Sequence, residues 1–142
     1  MIFMKKNGFT LVELLAVIVI MALLLTIAVP AVIGIANSIR ANMFCSKVDN
    51  IESAAKTYGN DYADMFENAS DSFEITVADL IDNNLYKKES NDCKIGNSSN
   101  PCIKDPRDGK MMDNDKIKLS KRDKRIFAEY QLSADDKKTC SK

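Results

Sequence analysis

Hydrophobic and polar positions divide the chain into two unlike parts. From Phe9 to Ala36 nearly every residue is Leu, Val, Ile, Ala or Met. As a helix this run would reach roughly 42 Å, more than the ~30 Å hydrocarbon slab of a bilayer. Near its far end, Pro30 removes a backbone donor and crowds the preceding turn. Gly34 weakens the next one, so a kink or a loosened stretch is expected at Pro30–Gly34.

After Ala36 a helical period takes over. Ala41, Phe44, Val48, Ile51, Ala55, Tyr58, Tyr62 and Met65 step by three or four and form one stripe. Arg40, Lys47, Asp49, Glu52 and Lys56 mostly lie off it. The rod is therefore expected to continue as an amphipathic helix to about Tyr58, with its stripe covered. Gly59 would end that helix or weaken it. The aromatic residues of the stripe read as core and not as a ligand site.

The remaining pattern is that of a small domain. Asn68 to Ser72 reads as a loop. Thr76 can cap a short helix, with Asp79 offering a weaker version of the capping box and Asn83-Asn84 ending it. Lys116-Ile117-Lys118-Leu119 and Ile126-Phe127-Ala128-Glu129-Tyr130 alternate. They predict an antiparallel hairpin joined through a polar Ser120–Arg125 connection, its apolar face on the helix stripe. Asp105-Pro106-Arg107-Asp108-Gly109 is turn chemistry just before it. The fold class predicted is α+β: a long N-terminal helix, transmembrane in its first half, with a small C-terminal antiparallel sheet packed on its outer half. Its segments are 9–36 (apolar), 37–66 (amphipathic continuation) and 67–142 (globular).

Charge sharpens this division. The 142 residues hold 20 Lys and Arg against 20 Asp and Glu, so no global field draws the chain to a polyanion. Between Lys6 and Arg40, however, the only charged residue is Glu13. Lys5 and Lys6 precede the apolar run and no basic residue follows until Arg40. The positive-inside rule then leaves the N-terminus in the cytoplasm and sends the rest out. The chain has no histidine, which removes the commonest general base and metal ligand. It also has no nucleophile motif, so an enzyme is not expected, and no cofactor is implied. Cys45, Cys93, Cys102 and Cys140 contain no CxxC pair, and beyond a membrane segment they read as two disulfides.

Glu13 is the residue the bland readings leave unexplained. A secretory signal has a shorter apolar core without an acid. A plain anchor accepts the length but gives the carboxylate no purpose. Acids within a membrane segment are by default functional and need a partner.

Lys5-Lys6-Asn7-Gly8-Phe9-Thr10-Leu11-Val12-Glu13-Leu14 resembles the class III signal of type IV prepilins and pseudopilins: a basic leader ending in Gly, then Phe, then Glu as fifth residue of the mature chain, then an apolar helix. The resemblance covers residues 5 to about 36. It implies a leader at 1–8, cut between Gly8 and Phe9 by a membrane prepilin peptidase, and N-methylation of Phe9. It implies extraction from the membrane lipid by an assembly ATPase and a platform protein. The product is a helical filament of this chain with minor pilins, reaching from the cytoplasmic membrane to the cell surface. Phe9 and Glu13 would carry assembly, the new Phe9 ammonium of one subunit meeting Glu13 of another, or of its own chain one turn away. Gly8 lets a peptidase approach the backbone. Family helices often melt where Pro30 and Gly34 stand. The rival from another class is a membrane-anchored extracellular binding module that does not polymerise.

Three finer readings remain. Cys93 and Cys102 bracket a flexible turn, and closing it is worth roughly 2–3 kcal/mol in the chain-entropy view. Cys45 would then take Cys140. Family members often close a C-terminal loop, which makes Cys102–Cys140 the competing pair. Asp105, Asp108, Asp113 and Asp115 cluster where major pseudopilins of type II secretion hold calcium, but the spacing suits a solvated turn as well. Lys116, Lys118, Lys121, Arg122, Lys124 and Arg125 could hold the phosphates of DNA. With no aromatic interleaved before Phe127, however, they read first as lysines that guard a sheet edge against aggregation.

Overall fold

A computed structural model describes residues 9–66 and 72–141. The leader, including Gly8, lies outside the described residues, as do positions 67–71 of the expected loop. The chain separates into two units between Ser38 and Ile39.

The first unit is helical. Helix α1 runs Leu11–Asp61 and enters the second unit without a break in its assignment. No single straight helix among the described residues is long and apolar enough to cross a membrane. The bent pair Leu11–Ile27 and Val32–Asp61 meets the length and composition together. Pro30 lies between the two stretches, and it has no N–H to give the carbonyl four residues earlier, at Thr26. Up to Ile39 the large apolar side chains described are exposed, Leu11 at 80% and Ile27 at 76%.

The second unit builds a core on one face of α1. Phe44, Val48, Ile51 and Ala55 of the stripe are buried. Past Tyr58 the stripe fails: Tyr62 and Met65 are exposed, because α1 ends at Asp61 and a 3₁₀ turn, Ala63–Phe66, buries Phe66 instead. Phe66 meets Phe73 with ring centres 4.7 Å apart.

The sheet has three strands and not the two of a hairpin. Strand β1 (Ser72–Thr76) is added antiparallel to β2 (Lys116–Arg122), which pairs with β3 (Arg125–Tyr130). The order is β1-β2-β3. Ile75, Ile117 and Tyr130 make one buried rung, and Phe73, Leu119 and Ala128 the next. Helix α2 (Val77–Asp82) follows β1 directly. Thr76 caps it through Asp79 N–H, and the Asp79 carboxylate accepts from Thr76 N–H at 2.7 Å. Val77, Leu80 and Ile81 complete the core. A last helix, α3 (Ala134–Cys140), buries none of its side chains.

Candidate processing and assembly site

The N-terminal end of α1 is assembled by local chemistry. Thr10 precedes the first helical residue, where backbone N–H groups lack partners. Its hydroxyl accepts from Glu13 N–H at 3.3 Å, and the Glu13 carboxylate accepts from Thr10 N–H at 3.4 Å. This reciprocal pair is a capping box. It gives Glu13 a local role that its charge alone did not suggest, and the T-x-x-E spacing Thr10–Glu13 was the signal for it. Phe9 stands just outside the helix, 76% exposed. Glu13 is the one charge on an otherwise apolar and uncovered helix start, next to Phe9.

Residues 3–29 match the prokaryotic N-terminal methylation motif. The chain carries the class III signal of type IV pilins and pseudopilins. The motif covers about a fifth of the chain and supports a pilin- or pseudopilin-like subunit with an N-terminal membrane anchor. Pilins of this kind are structural proteins. No curated protein and no solved structure matches the chain.

Further along this signal helix, Pro30 falls at the bend. Gly34 has open space where a side chain would stand, and its carbonyl accepts from the Ser38 hydroxyl at 3.2 Å.

In the second unit the cysteines are joined Cys45–Cys140 and Cys93–Cys102. The first bridge ties α3 to α1. The second closes the turn at 93–102.

The four aspartates weighed for calcium do not converge. Calcium needs six to eight oxygens around one point, and each carboxylate here has turned to its own partner. Asp105 is gripped by Arg107, with Nη2 donating at 2.7 Å and Nε at 3.0 Å. Asp108 pairs with Lys110 at 2.7 Å, which holds its pKa below the ordinary value. Asp113 is fully buried and accepts from three backbone N–H groups, Gly96, Cys102 and Ile103. Asp115 accepts from the Tyr130 hydroxyl, while burial raises its pKa. Among the described residues no group of three or more acids or cysteines is arranged to hold a metal ion.

Four of the six cations, Lys116, Lys118, Lys121 and Arg122, lie on β2, the central strand and not an edge; Lys124 is in the turn and Arg125 begins the edge strand β3. Lys116 pairs with Glu74 at 3.0 Å, and Lys118 stands in register between Glu74 and Glu129. Lys121, Arg122, Lys124 and Arg125 gather at the β2–β3 tip.

Proposed function

We propose that this chain is a structural subunit of a type IV pilus or pseudopilus. In this reading it is cut between Gly8 and Phe9, methylated on Phe9 and polymerised through α1. The observation that carries it is Glu13: the single carboxylate of an apolar helix, on the turn beside the Phe9 nitrogen that cleavage would free. Hydrocarbon penalises an isolated carboxylate, and an ammonium partner removes most of that cost. In the membrane the Phe9 ammonium of the same chain supplies the partner. In a filament a neighbouring subunit's does, and a subunit inserted out of register leaves both charges unpaired.

The uncovered apolar surface supports the same reading. Soluble proteins rarely leave such a patch bare. Lipid covers it before assembly and other copies of α1 afterwards. The Pro30–Gly34 stretch gives the helix a place to yield as it passes from lipid into a packed core. The outer unit, with its own core and two disulfides, then forms the filament surface.

The test is a mass spectrum of the N-terminal peptide from native membranes. A chain beginning at N-methylated Phe9 is the expected result. An uncut leader in cells with active prepilin peptidase would leave a membrane-anchored module that does not polymerise.

A further inference from the structure

The β2–β3 tip carries an arrangement that the proposed role of α1 leaves unexplained. Arg122 and Arg125 face each other across the last rung of the hairpin. The turn between them is Asp123-Lys124, with φ of 47° and 65°. Lys121, in register with Ile126 and so on the opposite face, is a fourth cation nearby, and Asp123 is the only acid among these five residues. Among the described residues none of the four cations makes an ion pair. Farther along the same face Glu74 and Glu129 flank Lys116 and Lys118 in register, Glu74 pairing with Lys116 and Glu129 with Lys137. At the tip no such acid stands in register beside the arginines.

Phe127 lies two rungs in from the arginines, on the same solvent-facing side of the sheet. It is 46% exposed. Its neighbours across the sheet are Ser120 and then Ser72, side chains too short to cover a phenyl ring. The Arg122 guanidinium stands 6.0 Å from the ring centre. A solvated charge run does not need a half-exposed aromatic beside it, with a guanidinium over its ring. A flat ring on a sheet face, rimmed by unpaired cations, suits a ligand with both a planar apolar group and closely spaced anions.

We propose that this tip binds single-stranded nucleic acid. One base stacks on Phe127, and the flanking phosphates lie against Arg122, Arg125 and Lys124 of the turn. Unpaired bases offer their faces to such a ring, whereas duplex bases are already stacked on one another. The cations supply a sequence-independent attraction that salt weakens.

The experiment is fluorescence anisotropy of a labelled oligodeoxythymidylate titrated with the full chain in non-ionic micelles. Binding at low salt is expected. Phe127→Ser should weaken it about 5-fold or more, by loss of one stacking contact. The double variant Arg122→Ala/Arg125→Ala should lower the salt slope by about 1.4, the value for two lost phosphate contacts on a single strand. All three positions are at the solvent face, and an unchanged circular dichroism spectrum with both disulfides intact shows that the variants fold. Absence of binding by the wild-type chain at low salt overturns the proposal. So does equal affinity of Phe127→Ser and wild type, or equal affinity for a duplex of the same length. The unassembled chain is used, so the result is independent of whether it polymerises.

Discussion

Gly59 of α1 and Ile126 of β3 are in direct apposition: a Cβ on Gly59 would lie 2.8 Å from Ile126 Cγ2. The glycine neither ends the helix nor marks a flexible point, since α1 continues to Asp61. It lets the sheet close onto the helix. In a free helix Gly→Ala would add about 1 kcal/mol of stability. Here the branched carbon of Ile126 sits close to its own backbone and cannot swing away cheaply. Gly59→Ala should therefore destabilise the outer unit by about 1–3 kcal/mol, read from urea unfolding in non-ionic micelles. Combined with Ile126→Ala the loss should be smaller than the sum of the two single losses.

Asp113 should be the least replaceable polar residue of the outer unit. Its carboxylate takes N–H groups from Gly96, Cys102 and Ile103 at 3.1, 3.0 and 2.7 Å, with no exposed surface. Asp113→Ala leaves those donors without acceptors, and the expected loss is about 3–5 kcal/mol. Asp113→Asn keeps the shape but turns one acceptor into a donor facing N–H groups, so it should recover only part of the loss. A calcium titration of the wild-type melting temperature should show no shift, because the lone pairs of Asp113 already have partners.

The two disulfides should differ in worth. Cys93–Cys102 closes a sequence separation of 9 residues and Cys45–Cys140 one of 95. In the chain-entropy view the longer loop restrains the unfolded chain more. Replacing Cys45 and Cys140 by Ser should cost about 4–5 kcal/mol, against about 2.5–3 for Cys93 and Cys102. Comparison of the two double variants by urea unfolding checks the order. The long bridge also holds α3 to α1, alongside the ion pairs Asp136–Arg107 and Lys137–Glu129.

These relationships show where sequence pattern is informative. The buried stripe from Phe44 to Ala55 and the Thr76–Asp79 capping box were legible because each is a local repeat with one physical meaning. Strand β1 was not recognised, though Ser72-Phe73-Glu74-Ile75-Thr76 alternates, because a five-residue strand running straight into a cap offers so short a signal. Helix α3 was missed because it has no apolar face to set a period; only Ser133 and Asp136, its cap, announce it. The hairpin connection looked longer than it is. Ser120 and Arg122 are solvent-facing strand residues, where polarity does not mean loop, and the turn is Asp123-Lys124 alone. Phe127 could not be read as a platform from sequence, since its exposure depends on the serines brought beside it by the register.

Asp136 should make stability depend on acid. Its carboxylate pairs with Arg107, whose guanidinium carbon also lies 3.5 Å from the Phe44 ring centre. The Arg107 hydrogen bond holds the Asp136 pKa below its ordinary value, with a further bond from the Ser133 hydroxyl at 2.7 Å. A depressed carboxylate pKa gives stability that is present above the ordinary aspartate range and lost as pH falls through the depressed value. Asp136→Asn should therefore be less stable by about 1 kcal/mol at neutral pH. The gap should close as the medium becomes more acid than the depressed pKa. Asp115 acts in the opposite sense, since burial raises its pKa; its share is largest in acid and fades as pH rises. Urea midpoints of wild type and Asp136→Asn across acid pH separate the two.

Glu13 has two roles to separate, because it completes the cap of α1 with Thr10 and also carries the charge proposed for assembly. Gln can occupy the same place in a capping box but has no charge. Glu13→Gln should therefore keep the helix start while removing the partner of the Phe9 ammonium. It should be processed normally and yield few filaments. Thr10→Ala does the reverse: it should lose a cap worth about 1 kcal/mol and keep the charge. Filament yield from each variant as sole subunit, with processing followed by mass spectrometry, decides between them. If charge pairing drives assembly, Glu13→Gln is the defective variant and Thr10→Ala assembles close to normally. If the capped helix start is what assembly needs, the order is reversed, and the account of Glu13 as an ammonium partner falls with it.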